Sequence, residues 1–228
     1  MILKDIYLYP DLTEFDDNIT NKFRLESRSL CNFIGKKIKE RHIVTKNYKR
    51  ICVVGRQKEK SLYVNSSNVL VVNTLIDIAK YLSLEDSSIS KNEYFINIIE
   101  QAIDEHIDDF LDISAIIKSS IFSFRELVYV NSWVLKDNKI KSLDIEYSLK
   151  CYLSIDSFSL YLTLTHKDVE FYREKIMSTI PDEVMFSNQI KNVIDKNGDI
   201  LIMNNKGMEI YSMNRIKIRK IMLKNNIR

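Results

Sequence analysis

Glycine and proline are scarce in this chain of 228 residues, which has four glycines and two prolines. Loops that cradle phosphate groups need clustered glycines, because the backbone amides must come close to the anion. The glycines at positions 35, 55, 198 and 207 are too far apart in sequence to form such a loop. The sequence therefore argues against an enzyme with a P-loop or a dinucleotide-binding fold.

Cysteine and long apolar runs are scarce as well. Cys31, Cys52 and Cys151 are widely spaced and lie among apolar residues, which is typical of buried reduced thiols and excludes a Cys-x-x-Cys metal site. The longest purely aliphatic run covers residues 69–72, whereas a membrane helix needs about 20 apolar residues. We therefore expect a cytoplasmic protein without a membrane span, and no motif indicates a cofactor.

The sequence predicts an α+β fold with a helical middle and an antiparallel β-meander in the second half, packed with helices. In the first half, strands are expected at residues 1–9, 51–54, 62–64 and 69–72, and helices at residues 18–39, 74–84 and 91–110. We treat residues 1–228 as a single domain, with residues 112–123 as the one candidate for a division.

The second half of the chain is rich in Val, Tyr, Phe and Leu. The predicted strands of the meander cover residues 124–135, 140–155 and 158–165, and helices are expected at residues 168–179 and 183–192. Residues 199–203 and 208–213 should pair as a hairpin that turns at residues 205–207, because Gly207 permits a positive φ angle. Residues 215–222 fit either an edge strand or a fraying helix.

Charge is sorted by position along the chain, although the net formal charge is only +3. Residues 36–60 contain ten basic and two acidic residues, a difference of +8. Residues 85–112 contain nine acidic residues and one basic residue, a difference of −8. Because a surface of one sign attracts molecules of the opposite sign, this sorting points to a charged partner.

The acidic segment is predicted to be one helix with a ridge of carboxylates opposite its apolar stripe. The candidate partner-binding residues are Glu100, Asp104, Glu105, Asp108, Asp109 and Asp112. Three interpretations stay open: a solvated face neutralised by the basic segment, a surface for a cationic partner, and a site for a hard cation such as Mg²⁺ or Ca²⁺. No EF-hand spacing supports the cation site.

His106 lies within the acidic segment, and Asp109 follows three residues later. A histidine oriented by a carboxylate is the minimum of a general-base pair. No spacing places a nucleophile beside it, however, and a surface histidine in a charged helix explains the pattern more simply. We therefore assign no catalytic residue and no metal ligand, and expect the protein not to be an enzyme.

The chain carries no recognisable signal segment or catalytic motif, is poor in glycine, and has a face of one sign at residues 100–112. In these respects it resembles the bacterial immunity proteins of polymorphic-toxin and contact-dependent growth inhibition systems. The resemblance implies a non-enzymatic protein that neutralises a protein partner. That partner would be a basic toxin domain of the nuclease type, whose cationic site the acidic face would cover.

Nucleic-acid binding or a regulatory role is the alternative interpretation. Basic side chains of the first charged segment would contact phosphates, with help from the basic C-terminal tail and with Tyr48 and Tyr63 available for stacking. The residues concerned are Lys36, Lys37, Lys39, Arg41, Lys49 and Arg50. The acidic segment would repel a polyanion, and a steep salt dependence of affinity would distinguish the two interpretations.

Overall fold

The computed structural model describes residues 1–84, 87–182, 185, 190, 192–196 and 198–227, without the side chains of residues 107–111, 192, 195 and 196. It has the predicted α+β fold. The chain divides into two compact units: unit 1 comprises Met1–Asn131 with Ser154–Asp156, and unit 2 comprises Ser132–Leu153 with Ser157–Arg228. Residues 112–123 lie inside one helix of unit 1.

Unit 1 contains a mixed four-stranded sheet, and its strands confirm the β-rich segments predicted for the first half. The strands are β1 (Asp5–Pro10), β2 (Arg50–Arg56), β3 (Tyr63–Val64) and β4 (Val69–Leu75). Their spatial order is β1-β2-β4-β3, and only β3 runs antiparallel to its neighbour. Alternate apolar residues such as Ile6, Val53 and Val72 are buried in one core, which explains why these segments form strands.

The helices of unit 1 are α1 (Asp17–Glu26), α2 (Arg28–Arg41), α3 (Ile78–Ser83), α4 (Ser88–Asp104) and α5 (Ile107–Glu126). The single helix predicted over residues 18–39 is divided at Ser27. The hydroxyl of Ser27 donates a hydrogen bond to the backbone oxygen of Leu8 in β1 at 3.1 Å and so anchors this junction to the sheet.

The prediction of one helix over residues 91–110 was wrong, because the chain turns at residues 105 and 106 between α4 and α5. The strand predicted from residue 124 was also wrong at its start. Ile113, Ile117, Ile121 and Phe124 are buried at helical spacing and extend α5 to Glu126. Phe124 packs on Phe33 of α2 with ring centroids 5.0 Å apart, and this packing favours the helix over the strand.

Unit 2 is built around the predicted antiparallel meander. Its strands are β5 (Asn131–Ile140), β6 (Ile145–Leu153), β7 (Phe158–His166) and β8 (Val169–Thr179), in that spatial order. The helix predicted over residues 168–179 was wrong, since this segment is β8. Lys167 and Asp168 have φ angles of 48° and 65°, so they form a two-residue turn that pairs His166 with Val169 and adds β8 to β7.

The remainder of unit 2 is a small sheet and a helix: β9 (Asn192–Lys196), β10 (Asp199–Met203), β11 (Glu209–Met213) and α6 (Arg215–Lys224). The predicted hairpin is confirmed, because β10 pairs antiparallel with β11 and Gly207 has a φ angle of 74°. Residues 215–222 are helical, and Asn214 caps α6 by accepting a hydrogen bond from the Lys217 amide. The helix predicted over residues 183–192 lies largely outside the described residues.

A candidate partner-binding pocket at the carboxyl end of the parallel sheet

The carboxyl ends of β1, β2 and β4 bring together polar side chains that lie far apart in the sequence. Arg56 ends β2 and is only 9% exposed. Its guanidinium forms an ion pair with Asp11, which follows β1, and its Nε donates to Oδ1 of Asn73 in β4 at 2.5 Å. Asn73 in turn donates from Nδ2 to the backbone oxygen of Ser61 at 2.8 Å. A buried charge must be paired, so this chain of contacts fixes the end of the sheet.

Asp11 is held in its ionised form by its surroundings. Its Oδ1 accepts hydrogen bonds from the Thr13 amide at 2.8 Å and the Thr13 hydroxyl at 2.6 Å. Burial opposes ionisation, but these hydrogen bonds and the Arg56 guanidinium outweigh it and hold the pKa of the Asp11 carboxyl below its usual value. The Asp11 carboxyl is therefore ionised at neutral pH.

The loop after β2 is tied to the same cluster. Glu14 accepts a hydrogen bond from the Gln57 amide at 2.6 Å, and its other oxygen lies 3.8 Å from Arg56 Nη1. After β4 the pairing with β2 continues by one residue, because Ile76 donates from its amide to the Arg56 backbone oxygen at 3.0 Å. Gly55 leaves room for the Ile76 side chain, since a Cβ atom at Gly55 would lie 2.5 Å from Ile76 Cδ1.

A pocket of about 440 Å³ opens at this end of the sheet. Its lining comes from the loop after β2, from the end of β4 and from the turn between α4 and α5: Glu59, Lys60, Ser61, Asn73, Thr74, Leu75, Glu105 and His106. Thr74 is 4% exposed, and its Oγ1 has no hydrogen-bond partner among the described residues. Leaving a buried hydroxyl unsatisfied costs about 1–3 kcal/mol, so this oxygen is a local weakness in the packing of β4.

The six acidic residues singled out in the sequence do not form one ridge. Glu100 and Asp104 belong to α4, Glu105 caps it, and Asp108, Asp109 and Asp112 belong to α5. The break between the two helices interrupts the spacing on which a continuous ridge depends. We call residues 104–112, where α4 meets α5, the acidic tip.

The acidic residues also differ in their partners. Glu100 accepts a hydrogen bond from Arg125 of α5 at 3.2 Å, and Asp104 pairs with Lys118 of α5 at 2.5 Å. Glu105 and Asp112 are exposed, and the side chains of residues 108 and 109 are outside the described part of the chain. The carboxylates of Glu100 and Asp104 thus link α4 to α5, whereas Glu105 and Asp112 face water at the acidic tip.

The basic residues singled out in the sequence lie at the other end of the sheet. Lys36, Lys37, Lys39 and Arg41 occupy the last turns of α2, Lys49 precedes β2, and Arg50 begins it. Lys39 and Arg50 pair with Asp5 of β1 at 2.7 and 3.5 Å, and Lys36 donates to Asn131 at 3.2 Å. Because Arg56 of the same segment is buried at the carboxyl end, the basic segment does not form one surface.

His106 is the only member of the pocket lining, apart from Glu105, that the sequence analysis selected. It is half-buried and stands at the start of α5. Sequence reasoning missed Asp11, Arg56, Asn73 and Thr74. A signal for them exists, because each of these polar residues stands at or directly after the end of an apolar strand segment.

Within the described residues, no three His, Cys, Asp or Glu side chains are grouped as metal ligands, and no helix is both long and apolar enough to cross a membrane. The three cysteines are free, and burial raises the pKa of the Cys52 thiol to about 12. Comparison of the chain with protein-family models, with curated proteins and with solved structures gives no match.

Proposed function

We propose that the protein is a cytoplasmic binding protein that neutralises a basic protein partner, in the manner of an immunity protein that covers a nuclease-type toxin. The acidic tip is the proposed contact surface. The observation that carries the proposal is that Glu105 and Asp112 face water there, beside a pocket whose rim adds the exposed carboxylate of Glu59. A surface of this sign favours a cationic partner.

The packing of α4 against α5 supports this proposal. Arg125 of α5 donates to both carboxylate oxygens of Glu93 in α4 at 2.9 Å and also bonds Glu100. Apolar residues of both helices, including Ile99 and Ile117, lie in the core. The helices that carry the tip are therefore held together before a partner arrives, and less conformational entropy is lost on binding.

The electrostatic role of the tip is mainly kinetic. Exposed carboxylates act at a distance on a cationic partner and raise the association rate, whereas buried contacts control dissociation. The Debye length is about 10 Å at 0.1 M salt, so added salt should weaken this steering. An immunity protein that must capture its toxin before the toxin acts benefits from fast association.

The test is the association kinetics of the protein with its toxin, which we expect to be a basic nuclease-type domain encoded by a neighbouring gene. In the double variant Glu105→Lys and Asp112→Lys, we expect the association rate at low salt to fall about tenfold or more, with a weaker dependence on salt. Glu40→Lys is the matched control, because Glu40 is an exposed carboxylate at the end of α2. An unchanged rate in the double variant, or an equal loss in the control, contradicts the proposal.

A further inference from the structure

We propose that helix α6 binds the surface of a membrane that contains anionic lipids. The helix lies along that surface, with its outward face against the lipid headgroups, and does not cross the bilayer. Two observations carry the inference: exposed apolar side chains at the centre of the outward face, and basic side chains on both sides of them. The inference does not depend on the proposed function, because the acidic tip belongs to unit 1 and α6 belongs to unit 2.

The inward face of α6 fixes the helix within unit 2. Ile218 is buried and Met222 is 8% exposed, and both belong to the core of this unit. Asn214 caps the first turn, and the amide of Arg215 donates to Oδ1 of Asp199 in β10 at 2.6 Å. The helix is therefore ordered before any ligand binds, and little conformational entropy is lost when its outward face is covered.

The outward face carries two apolar side chains at its centre. Ile216 is 67% exposed and Leu223 is 72% exposed. Because an α-helix turns by about 100° per residue, these two side chains point in directions about 20° apart, whereas Ile218 points to the opposite side. Neither side chain belongs to the core of unit 2. Their apolar surface is in contact with water until a ligand covers it, and covering it is favourable.

Basic side chains flank this apolar pair. Arg219 lies on one side of it, Lys220 and Lys224 lie on the other, and all three are exposed. Lys217 pairs with Glu174 at 3.3 Å, but Arg219, Lys220 and Lys224 form no ion pair within the described residues. Since α6 contains no acidic residue, the outward face carries positive charge that the helix does not compensate. It therefore attracts an anionic surface.

The combination of charge and apolar surface favours lipid over nucleic acid. Anionic headgroups attract lysine and arginine, whose long side chains reach from a helix at the interface to the lipid phosphates. The apolar pair can enter the boundary between headgroups and acyl chains at the same time. A nucleic acid would satisfy the basic side chains through its phosphates but would leave Ile216 and Leu223 against a charged backbone. A membrane surface uses both parts of the outward face.

The direct test is co-sedimentation of the full chain at low salt with phosphatidylcholine vesicles that contain about 30% phosphatidylserine. We expect binding to these vesicles and none to vesicles of phosphatidylcholine alone. The triple variant Arg219→Gln, Lys220→Gln and Lys224→Gln should bind about a hundredfold more weakly, since each basic residue near an anionic surface contributes about fivefold. Absence of binding by the wild-type chain overturns the inference.

The matched control removes the same charge from exposed positions of unit 1. Arg41→Gln, Lys46→Gln and Lys58→Gln together should weaken vesicle binding less than about fivefold, because these side chains do not contact the lipid. A loss equal to that of the α6 variant would mean that net charge alone attracts the vesicles, and it overturns the inference. Thermal unfolding of both triple variants checks that they are folded.

Entry of the apolar pair into the lipid needs its own test, because attraction between charges does not require it. Ile216→Ser with Leu223→Ser should weaken vesicle binding about tenfold, with a similar loss at low and at moderate salt. In Leu223→Trp, the added fluorescence should shift to the blue on the vesicles and be quenched by lipids brominated in their acyl chains. Leu82→Trp, at an exposed position in α3, is the control and should show neither change. Absence of quenching at position 223 overturns the inference.

Nucleic acid is the competing ligand in the same experiments. A single-stranded oligonucleotide could displace the vesicles from the wild-type chain, bind the α6 triple variant weakly, and bind the serine double variant as tightly as wild type. That pattern would assign the basic side chains of α6 to phosphates of a nucleic acid and overturn the membrane inference. Failure of an oligonucleotide to displace the vesicles supports it.

Discussion

The two ends of the parallel sheet in unit 1 use the same ion-pair chemistry in different surroundings. At the amino end, the side chains of Lys39 and Arg50 are 58% and 44% exposed around Asp5. At the carboxyl end, Arg56 and Asp11 are both buried. Exposed pairs contribute about 0–1 kcal/mol, whereas breaking a buried pair strands an uncompensated charge. The comparison teaches that a sequence rich in charge tells little about function until the burial of each charge is known.

The largest expected effect comes from removing the buried guanidinium. Arg56→Met leaves the Asp11 carboxylate and Oδ1 of Asn73 without their partner, so we expect the free energy of unfolding to fall by about 3–5 kcal/mol. Arg50→Met is the matched change at the amino end and should cost less than about 1 kcal/mol. Urea unfolding of both variants measures the difference. Equal losses would remove the distinction between the two ends.

The stability of the fold should also change with pH because of Asp11, at the carboxyl end of the sheet. Because the pKa of folded Asp11 lies below its value of 3.8 in the unfolded chain, its ionisation stabilises the fold above that value. This contribution is lost as pH falls through the lower, folded pKa. Asp11→Asn should therefore lower the free energy of unfolding at neutral pH. The difference in this free energy between wild type and variant should become smaller below about pH 4. A difference in the free energy of unfolding that stays constant down to pH 2 would contradict the lowered pKa of the Asp11 carboxyl.

Replacement by alanine should change the stability of the protein in opposite directions at Gly55 and Gly35. At Gly55, near the carboxyl end of β2, a Cβ atom would lie 2.5 Å from Ile76 Cδ1, so Gly55→Ala should destabilise by about 1–3 kcal/mol. At Gly35, inside α2, the nearest atoms belong to Asp5 at 3.9 Å, and Gly35→Ala should stabilise by about 0.5–1 kcal/mol. Thermal unfolding of both variants measures the signs, and a shared sign would be evidence against this packing.

The smallest expected changes in stability come from replacing two buried threonines, Thr74 and Thr45, with valine. Thr74 at the carboxyl end has a hydroxyl without a partner in the described part of the chain, so Thr74→Val should leave stability unchanged or raise it by up to about 1 kcal/mol. The hydroxyl of Thr45, near the amino end, donates to the backbone oxygen of Tyr48 and lies 3.2 Å from that of Met1. Thr45→Val should lower the free energy of unfolding by about 1 kcal/mol. Chemical denaturation resolves the two signs, and a loss at Thr74 would mean that its hydroxyl is already bonded.

The strands of unit 1 could be predicted because each is a short apolar run that ends at polar residues. The hairpin at Gly207 could be predicted because its turn residues fix the backbone. The segment over residues 168–179 could not, since its apolar residues fit a helix as well as a strand. The turn at Lys167 and Asp168, which contains no glycine, decided between the two by adding this segment to β7.

The candidate site was harder to predict than the fold. The acidic segment was visible in the sequence, but the break at Glu105 and His106 and the pairing of Glu100 with Arg125 depend on tertiary packing. The pocket joins residues from three segments, and charge counting placed Arg56 in a basic surface block. Only the parallel order of β1, β2 and β4 brings Asp11, Arg56 and Asn73 together, and no local pattern specifies that order.

The Asp11–Arg56 pair also constrains how this sequence can change over evolutionary time. Loss of either partner alone leaves a buried charge, but joint replacement by apolar residues of similar volume is often neutral. The two positions should therefore change together or not at all among descendants of this chain. A descendant that replaced both would keep its fold while losing the charged wall behind the pocket, so retention of both charges among descendants would indicate selection for more than the fold.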